Sequence, residues 1–283
     1  MNYYEYTFTL LPAEQGSEIL IAQLAELPFE SFVETKKGVQ AYIQEPEHNE
    51  ALVQQVVNDF DAAYKLTFTH KLIPQQNWNA QWESEFEPVI VSNECIIRAP
   101  FHTIAKQYKY TVTIMPQMSF GTGHHNTTWL MCNALLNNAP TNASVLDMGC
   151  GTGVLAILAH KLGASIVHGI DIDEWSVTNS IENCALNNIT TIDVWQGDAS
   201  KMKDTTYNII LANINKNILK ADATHYYQHL ASNGIIYLSG FFTTDVDEIK
   251  QFYTACGYTF EAYNYKDEWA QLTFSKRNLN TLS

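Results

Sequence analysis

The chain has 283 residues, enough to bury a sizeable core and to form two domains. Hydrophobic residues make up 46% and charged residues 16%, an ordinary globular balance, and no apolar run approaches the roughly 18 residues that cross a bilayer. With 16 basic against 30 acidic residues, a formal net charge of −14 and no basic cluster, the chain is a poor match for nucleic acid. Phosphates call for Lys and Arg, whereas an acidic surface attracts a basic partner and speeds its encounter.

The five cysteines (Cys95, Cys132, Cys150, Cys184, Cys256) are odd in number and form no C-x-x-C pair. Neither a disulfide framework nor a metal site is therefore expected, and a reducing cytoplasm fits. Glu5 and the lack of a basic n-region argue against a signal peptide.

Residues 1–72 are predicted to run β-α-β-β-α-β. Tyr3–Leu11 alternates as a half-buried strand does, and Ser17 is a candidate cap for a helix ending before Pro28. Strands are predicted at Ser31–Thr35 and Val39–Gln44 around a Lys36-Lys37-Gly38 turn. A helix is expected to open at Pro46 and run to Phe60, and a strand to close the unit at Lys65–Ile73. That order is the ferredoxin-like α+β pattern. Residues 73–90 form a predicted linker helix, with Trp78, Trp82 and Phe86 at four-residue spacing on one face.

The remainder, 91–283, is predicted to be an open, mostly parallel α/β sheet of Rossmann-like type, preceded by strands at 89–98 and 110–115. Strands are expected at 144–149, 166–171, 191–196, 207–213 and 234–239. Helices are expected at 152–162, 174–187, 216–231 and 244–256. Tyr258–Tyr263 and Trp269–Ser275 flank Lys266-Asp267-Glu268 and read as a terminal hairpin that adds an antiparallel strand.

The chemistry is concentrated at Asp147-Met148-Gly149-Cys150-Gly151-Thr152-Gly153. Glycines at alternate positions after a strand let the backbone turn sharply against a ligand. Asp171, ending the next strand, is placed to hold ribose hydroxyls. A dinucleotide loop needs a third glycine where this chain has Val154, and no Lys or Arg supports a pyrophosphate. Asp147 would repel phosphate but suits an amino-bearing, cationic ligand. D-x-G-x-G-x-G thus points to S-adenosylmethionine. Asp198, after the third strand, is a candidate acceptor for the adenine amine.

Two further motifs narrow the reading: Met118-Ser119-Phe120-Gly121-Thr122-Gly123-His124-His125-Asn126-Thr127-Thr128, and Asn213-Ile214-Asn215 after the fourth strand. With the glycine loop and an N-W-x-x-x-W segment at Trp78 and Trp82, they resemble the PrmA family of methyltransferases that act on the eleventh large-subunit ribosomal protein. The resemblance covers nearly the whole chain. It implies a class I S-adenosylmethionine-dependent methyltransferase domain and an N-terminal substrate-recognition domain. It also implies cofactor contacts from Thr128, Gly149, Asp171 and Asn213, with Gly151, Gly153, Asp147, Asp198 and Phe120 expected around them. The implied reaction is methylation of lysine or N-terminal amines of a basic ribosomal protein. Asn213 is the candidate for orienting the amine. Two departures stand out: Met115-Pro116-Gln117 where the family has D-P-G before the F-G-T-G run, and Asn215-Lys216-Asn217 where small and apolar residues are usual.

His124 and His125 are adjacent, and neighbours on a helix point apart, so one is expected to pack or cap and the other to line the site, rather than the two forming a metal site. A monomer with no nucleic-acid or membrane partner is expected. The competing readings are an N-methyltransferase of another protein, a small molecule or nucleic acid, and a catalytically silent scaffold.

Overall fold

The computed structural model describes residues 1–74, 83, 85–117 and 119–277. Its contacts divide the chain into two units, Met1–Glu85 and Phe86–Ser283. The linker-helix reading at Trp78 and Trp82, like Met118, lies outside the described residues.

The first unit contains β1 (Tyr3–Leu11), α1 (Ala13–Leu24), β2 (Phe29–Thr35), β3 (Gly38–Gln44), α2 (Glu50–Asp59) and β4 (Lys65–Ile73). The strands form an antiparallel sheet in the order β2-β3-β1-β4. Alternation in β1 places Tyr6, Phe8 and Leu10 in a core with Leu20, Leu24 and Val53 from the two helices. Two expected helix starts are corrected. Ser17 does not cap α1: it is buried inside the helix, where its Oγ donates to the Ala13 carbonyl at 2.9 Å. Pro46 sits in a short 3-10 turn, Glu45–Glu47. Asn49 opens α2 instead, its Oδ1 accepting from the Ala51 and Leu52 amides.

The second unit begins with a small sheet of β5 (Val89–Ile90), β6 (Cys95–Arg98) and β7 (Tyr110–Thr113). The run expected as one strand over 89–98 breaks at Ser92-Asn93-Glu94, turn-forming residues where the Cys95 amide donates back to the Ser92 carbonyl.

After α3 (Asn126–Asn137) the chain alternates between strands and helices. The strands are β8 (Ser144–Met148), β9 (Ile166–Asp171), β10 (Ile192–Gln196), β11 (Tyr207–Asn213) and β12 (Leu230–Phe242). The intervening helices are α4 (Val154–Lys161), α5 (Glu174–Leu186) and α6 (Lys216–His229), and α7 (Val246–Ala255) follows β12. β13 (Thr259–Lys266) and β14 (Trp269–Ser275) complete a seven-stranded sheet in the order β10-β9-β8-β11-β12-β14-β13. β14 runs antiparallel to both neighbours, as the hairpin pattern predicts.

Both faces of this sheet are covered. Val145 and Leu211 pack with Met131, Ile157 and Cys184 on one side; Leu146 and Ile210 pack with Leu219, Tyr226 and Tyr253 on the other. This explains why β8 and β11 read as continuous apolar runs. The strand order reverses between β8 and β11. In open α/β sheets a ligand crevice opens at such a switch point, beyond the carboxyl ends of the strands.

Candidate active site

The loop Gly149–Gly153 leaves β8 at that switch point. Gly149 and Gly151 adopt positive φ angles of 68° and 54°. A Cβ on Gly149 would lie 2.3 Å from Ile214 Cγ2, and one on Gly151 would lie 2.2 Å from the Phe120 carbonyl oxygen. Side chains are therefore excluded twice over, by conformation and by space. The three motifs are pressed together: the Phe120 segment lies on one side of the glycine loop and the Ile214 segment on another. Hydrogen bonds fix the first contact, with the Thr152 amide donating to the Phe120 carbonyl (2.9 Å) and Thr152 Oγ1 to the Gly121 carbonyl (2.6 Å).

A cavity of about 350 Å³ opens beside the loop, and its walls include Phe120, Gly149, Gly151, Asp171, Asp198 and Asn213. Asp171 Oδ2 accepts from the Gly151 amide at 2.9 Å, and Oδ1 from the Asp173 amide at 3.0 Å. The ribose candidate is thus locked to the glycine loop. Asp173, also in the cavity wall, caps α5, its Oδ1 accepting from the Trp175 amide. Asp198 Oδ1 accepts from the Ser200 amide and hydroxyl, contacts that hold its carboxyl below the usual carboxylate range. Asn213 Oδ1 and Ser119 Oγ are buried beside this space and find no partner among the described residues. Orphaned buried acceptors are costly, and a ligand that satisfies them accounts for both.

Three of the predicted residues, Asp147, Gly153 and Thr128, are not among those that line the cavity. Asp147 is buried beneath the loop, and its Oδ2 accepts from the Ala156 amide at 3.0 Å. Gly153, the N-cap of α4, has no side chain with which to satisfy that first turn, so Asp147 supplies the acceptor from the strand. Burial pushes its carboxyl up to about 7; the Ala156 hydrogen bond opposes the rise and Asp171 adds to it. Thr128 is buried in the first turn of α3, its hydroxyl without a partner among the described residues.

His125 caps α3: its Nδ1 accepts from the Thr127 amide. Its ring lies 5.1 Å from that of Phe120 and 4.4 Å from that of Trp269, and burial lowers its pKa. His124 Nε2 meets the Glu87 carbonyl at 2.8 Å. Among the described residues no cluster of His, Cys, Asp or Glu has the arrangement of a metal site. Both departures from the family pattern have partners. Gln117 Nε2 donates to Glu182, and Lys216 is paired with Asp245 (2.6 Å) and Glu248 (2.9 Å).

The sequence reading gave no site role to Ser119, although it lies in the Met118–Thr128 motif, or to Ile172, Ile218 and Asp222, all in the cavity wall. Ile172 left a signal, an apolar residue between two acids just past a strand, and it is 67% exposed. Ile218 and Asp222 lie one helical turn apart on α6, a spacing that marks a common face only once the helix is placed.

The family model described as "Ribosomal protein L11 methyltransferase (PrmA)" matches residues 15–277. This chain belongs to the PrmA family. A ribosomal protein L11 methyltransferase of Bacteroides thetaiotaomicron is 41% identical over 279 residues, covering 97% of this chain and all of that protein. One from Porphyromonas gingivalis is 41% identical over 284 residues, covering 97% and 98%. The crystal structure of ribosomal protein L11 methylase from Lactobacillus delbrueckii subsp. bulgaricus superposes with a TM-score of 0.64 at 27% identity. It covers 68% of this chain and 100% of that one. The second unit has the class I S-adenosylmethionine-dependent methyltransferase fold, as the α/β pattern predicts.

Proposed function

We propose that this protein transfers methyl groups from S-adenosylmethionine to amines of ribosomal protein L11. The observation that carries the cofactor is the charge of the cavity wall. Asp171, Asp173, Asp198 and Asp222 line it, and among its described lining residues there is no Lys, Arg or His. Such a wall rejects a pyrophosphate and accepts a cationic, phosphate-free nucleoside. Asp171 would hold the ribose, Asp198 the adenine amine, and the turn at Gly149 and Gly151 the approach of the chain to the ligand. Asp147 and Gly153 support the loop at the first turn of α4.

The bound cofactor supplies an already activated methyl group, so the protein's part is in-line geometry and exclusion of water. The acceptor is the harder partner. A free lysine with a pKa near 10.4 is neutral in about one part in a thousand at pH 7.4, a cost of about 4 kcal/mol. Desolvation at an enclosed site lowers that pKa. Asn213 Oδ1, buried and unpartnered, then accepts an N–H of the neutral amine and orients its lone pair.

The acidic chain favours encounter with a basic ribosomal protein over nucleic acid. No described helix is long and apolar enough to cross a membrane, and a cytoplasmic monomer is the working form proposed. Incubation with radiolabelled S-adenosylmethionine and separated ribosomal proteins tests the assignment. Label is expected in L11. Label in another acceptor alone would overturn the substrate, and no label together with no cofactor binding would overturn the activity.

A further inference from the structure

Asp222 belongs to none of the motifs, yet it lines the cofactor cavity together with Ile218, one turn earlier on α6. The adjoining stripe of that helix (Leu219, Ala223, Tyr226) is fully buried, so the position of the Ile218–Asp222 face is fixed by the core. Asp222 Oδ2 accepts from the buried Tyr226 hydroxyl at 3.2 Å, and Oδ1 takes no hydrogen bond from the described residues. Asp198 has the same arrangement: Ser200 holds Oδ1, and Oδ2 takes no hydrogen bond from the described residues. Each carboxylate is thus anchored through one oxygen and keeps the other for a ligand.

The pair is unfavourable without one. Burial first, and the Asp198 charge as well, raise the proton affinity of Asp222, while the Tyr226 hydroxyl and His225 oppose the rise. A donor with two N–H groups relieves that repulsion, one hydrogen to each free oxygen. Exposed Ile172 and Ile218 in the same wall offer apolar contact to a flat ring. The orphaned Asn213 Oδ1 and Ser119 Oγ mark this cavity independently as one that a ligand completes.

We infer that Asp222 is a second acceptor for the exocyclic amine of the cofactor's adenine, acting with Asp198 to select a 6-aminopurine over a 6-oxopurine. The inference rests on the cofactor reading above. A 6-oxo group would turn a lone pair, instead of two hydrogens, toward two carboxylates, and a site built for a donor rejects such an analogue strongly.

Calorimetry on the full chain with S-adenosylhomocysteine and S-inosylhomocysteine tests it without turnover. The unsubstituted protein is expected to prefer the adenosine compound. Asp222→Leu should weaken that compound roughly tenfold, the scale of one hydrogen bond to a charged group. It should leave the inosine compound bound no more weakly than before, so that the preference narrows. Asp222→Asn, which keeps one acceptor oxygen, should lose less, and it decides the matter alone if the leucine variant does not fold. An equal loss for both compounds would show that Asp222 only supports Tyr226, and unchanged affinity for both would also overturn the inference. Failure of the unsubstituted protein to bind S-adenosylhomocysteine would instead break the cofactor reading.

Discussion

In Met1–Glu85 the helices and the buried side chains of β1 share one face of the sheet. The other face carries Glu5, Thr7 and Thr9, paired across β1 and β4 with Lys71, Thr69 and Thr67. In Phe86–Ser283 apolar cores cover both faces of the sheet, and the cavity sits where the strands end. A flat, half-open sheet offers area to a macromolecule; a sheet covered on both faces offers only its strand ends, which suit a small molecule. The difference is the physical basis on which we propose a division of work, with L11 recognition in the first unit and cofactor binding in the second.

The sharpest way to break that division is to remove residues 1–72. Methylation of L11 should vanish, while calorimetry should find S-adenosylhomocysteine bound within about threefold of the full chain. Loss of both would show that the second unit depends on the first.

The next effect sharpens the contrast between an acid in each sheet. Glu5 lies on the open sheet 2.8 Å from Lys71, whereas Asp147 is sealed between layers. A carboxyl whose folded pKa rises from 3.8 to about 7 is stabilising to fold over only while it is protonated. Between about pH 4 and 7 the unfolded chain has released that proton and the native one still holds it, so stability falls as pH rises. The full rise corresponds to at most roughly 4 kcal/mol. Asp147→Asn should flatten this fall, seen as a smaller decrease in Tm from pH 5 to pH 8. Parallel curves would place the charge elsewhere.

Gly151→Ala comes third. The strained φ and the clash with the Phe120 carbonyl should weaken S-adenosylhomocysteine about 100-fold, roughly 2.7 kcal/mol, while circular dichroism of the first unit's sheet is unchanged. Binding within a few-fold of the parent would mean that the loop can relax. The smallest effect is that of Asn213→Ala. Leaving a buried hydrogen bond unmade costs about 1–3 kcal/mol, so kcat on L11 should fall by roughly ten- to a hundredfold. Full turnover would remove Asn213 from the reaction.

The layers of the second unit were legible because each strand that is covered on both sides is an apolar run and each helix between is bounded by Asn, Asp or Gly. β9 and β11 have the predicted bounds, and β14 begins and ends where the hairpin reading places it. What escaped depends on neighbours far off in sequence. Nothing local distinguishes Ser17 as an interior helix residue, since its hydroxyl is satisfied by Ala13. Asp147 reads as a ligand-facing acid until the bare N-cap of α4 is seen to need it. Asp222 lies on a mostly polar helix whose pattern shows no cavity, and only the packing of Leu219 and Tyr226 turns it inward. The contact of Gly149 with Ile214 likewise joins positions some sixty residues apart, which spacing alone does not reveal.

The placement of β14 between β12 and β13 also sets an order of assembly. The first unit has all four of its strands once residue 73 has been made. The large sheet must wait: β12 and β13 cannot join until residues 269–275 are synthesised and slide between them, carrying Leu272 and Phe274 into the core. During translation the first unit can therefore be complete well before the second. With L11 recognition in the first unit, as proposed, the growing chain would have a window in which it can dock but not yet react.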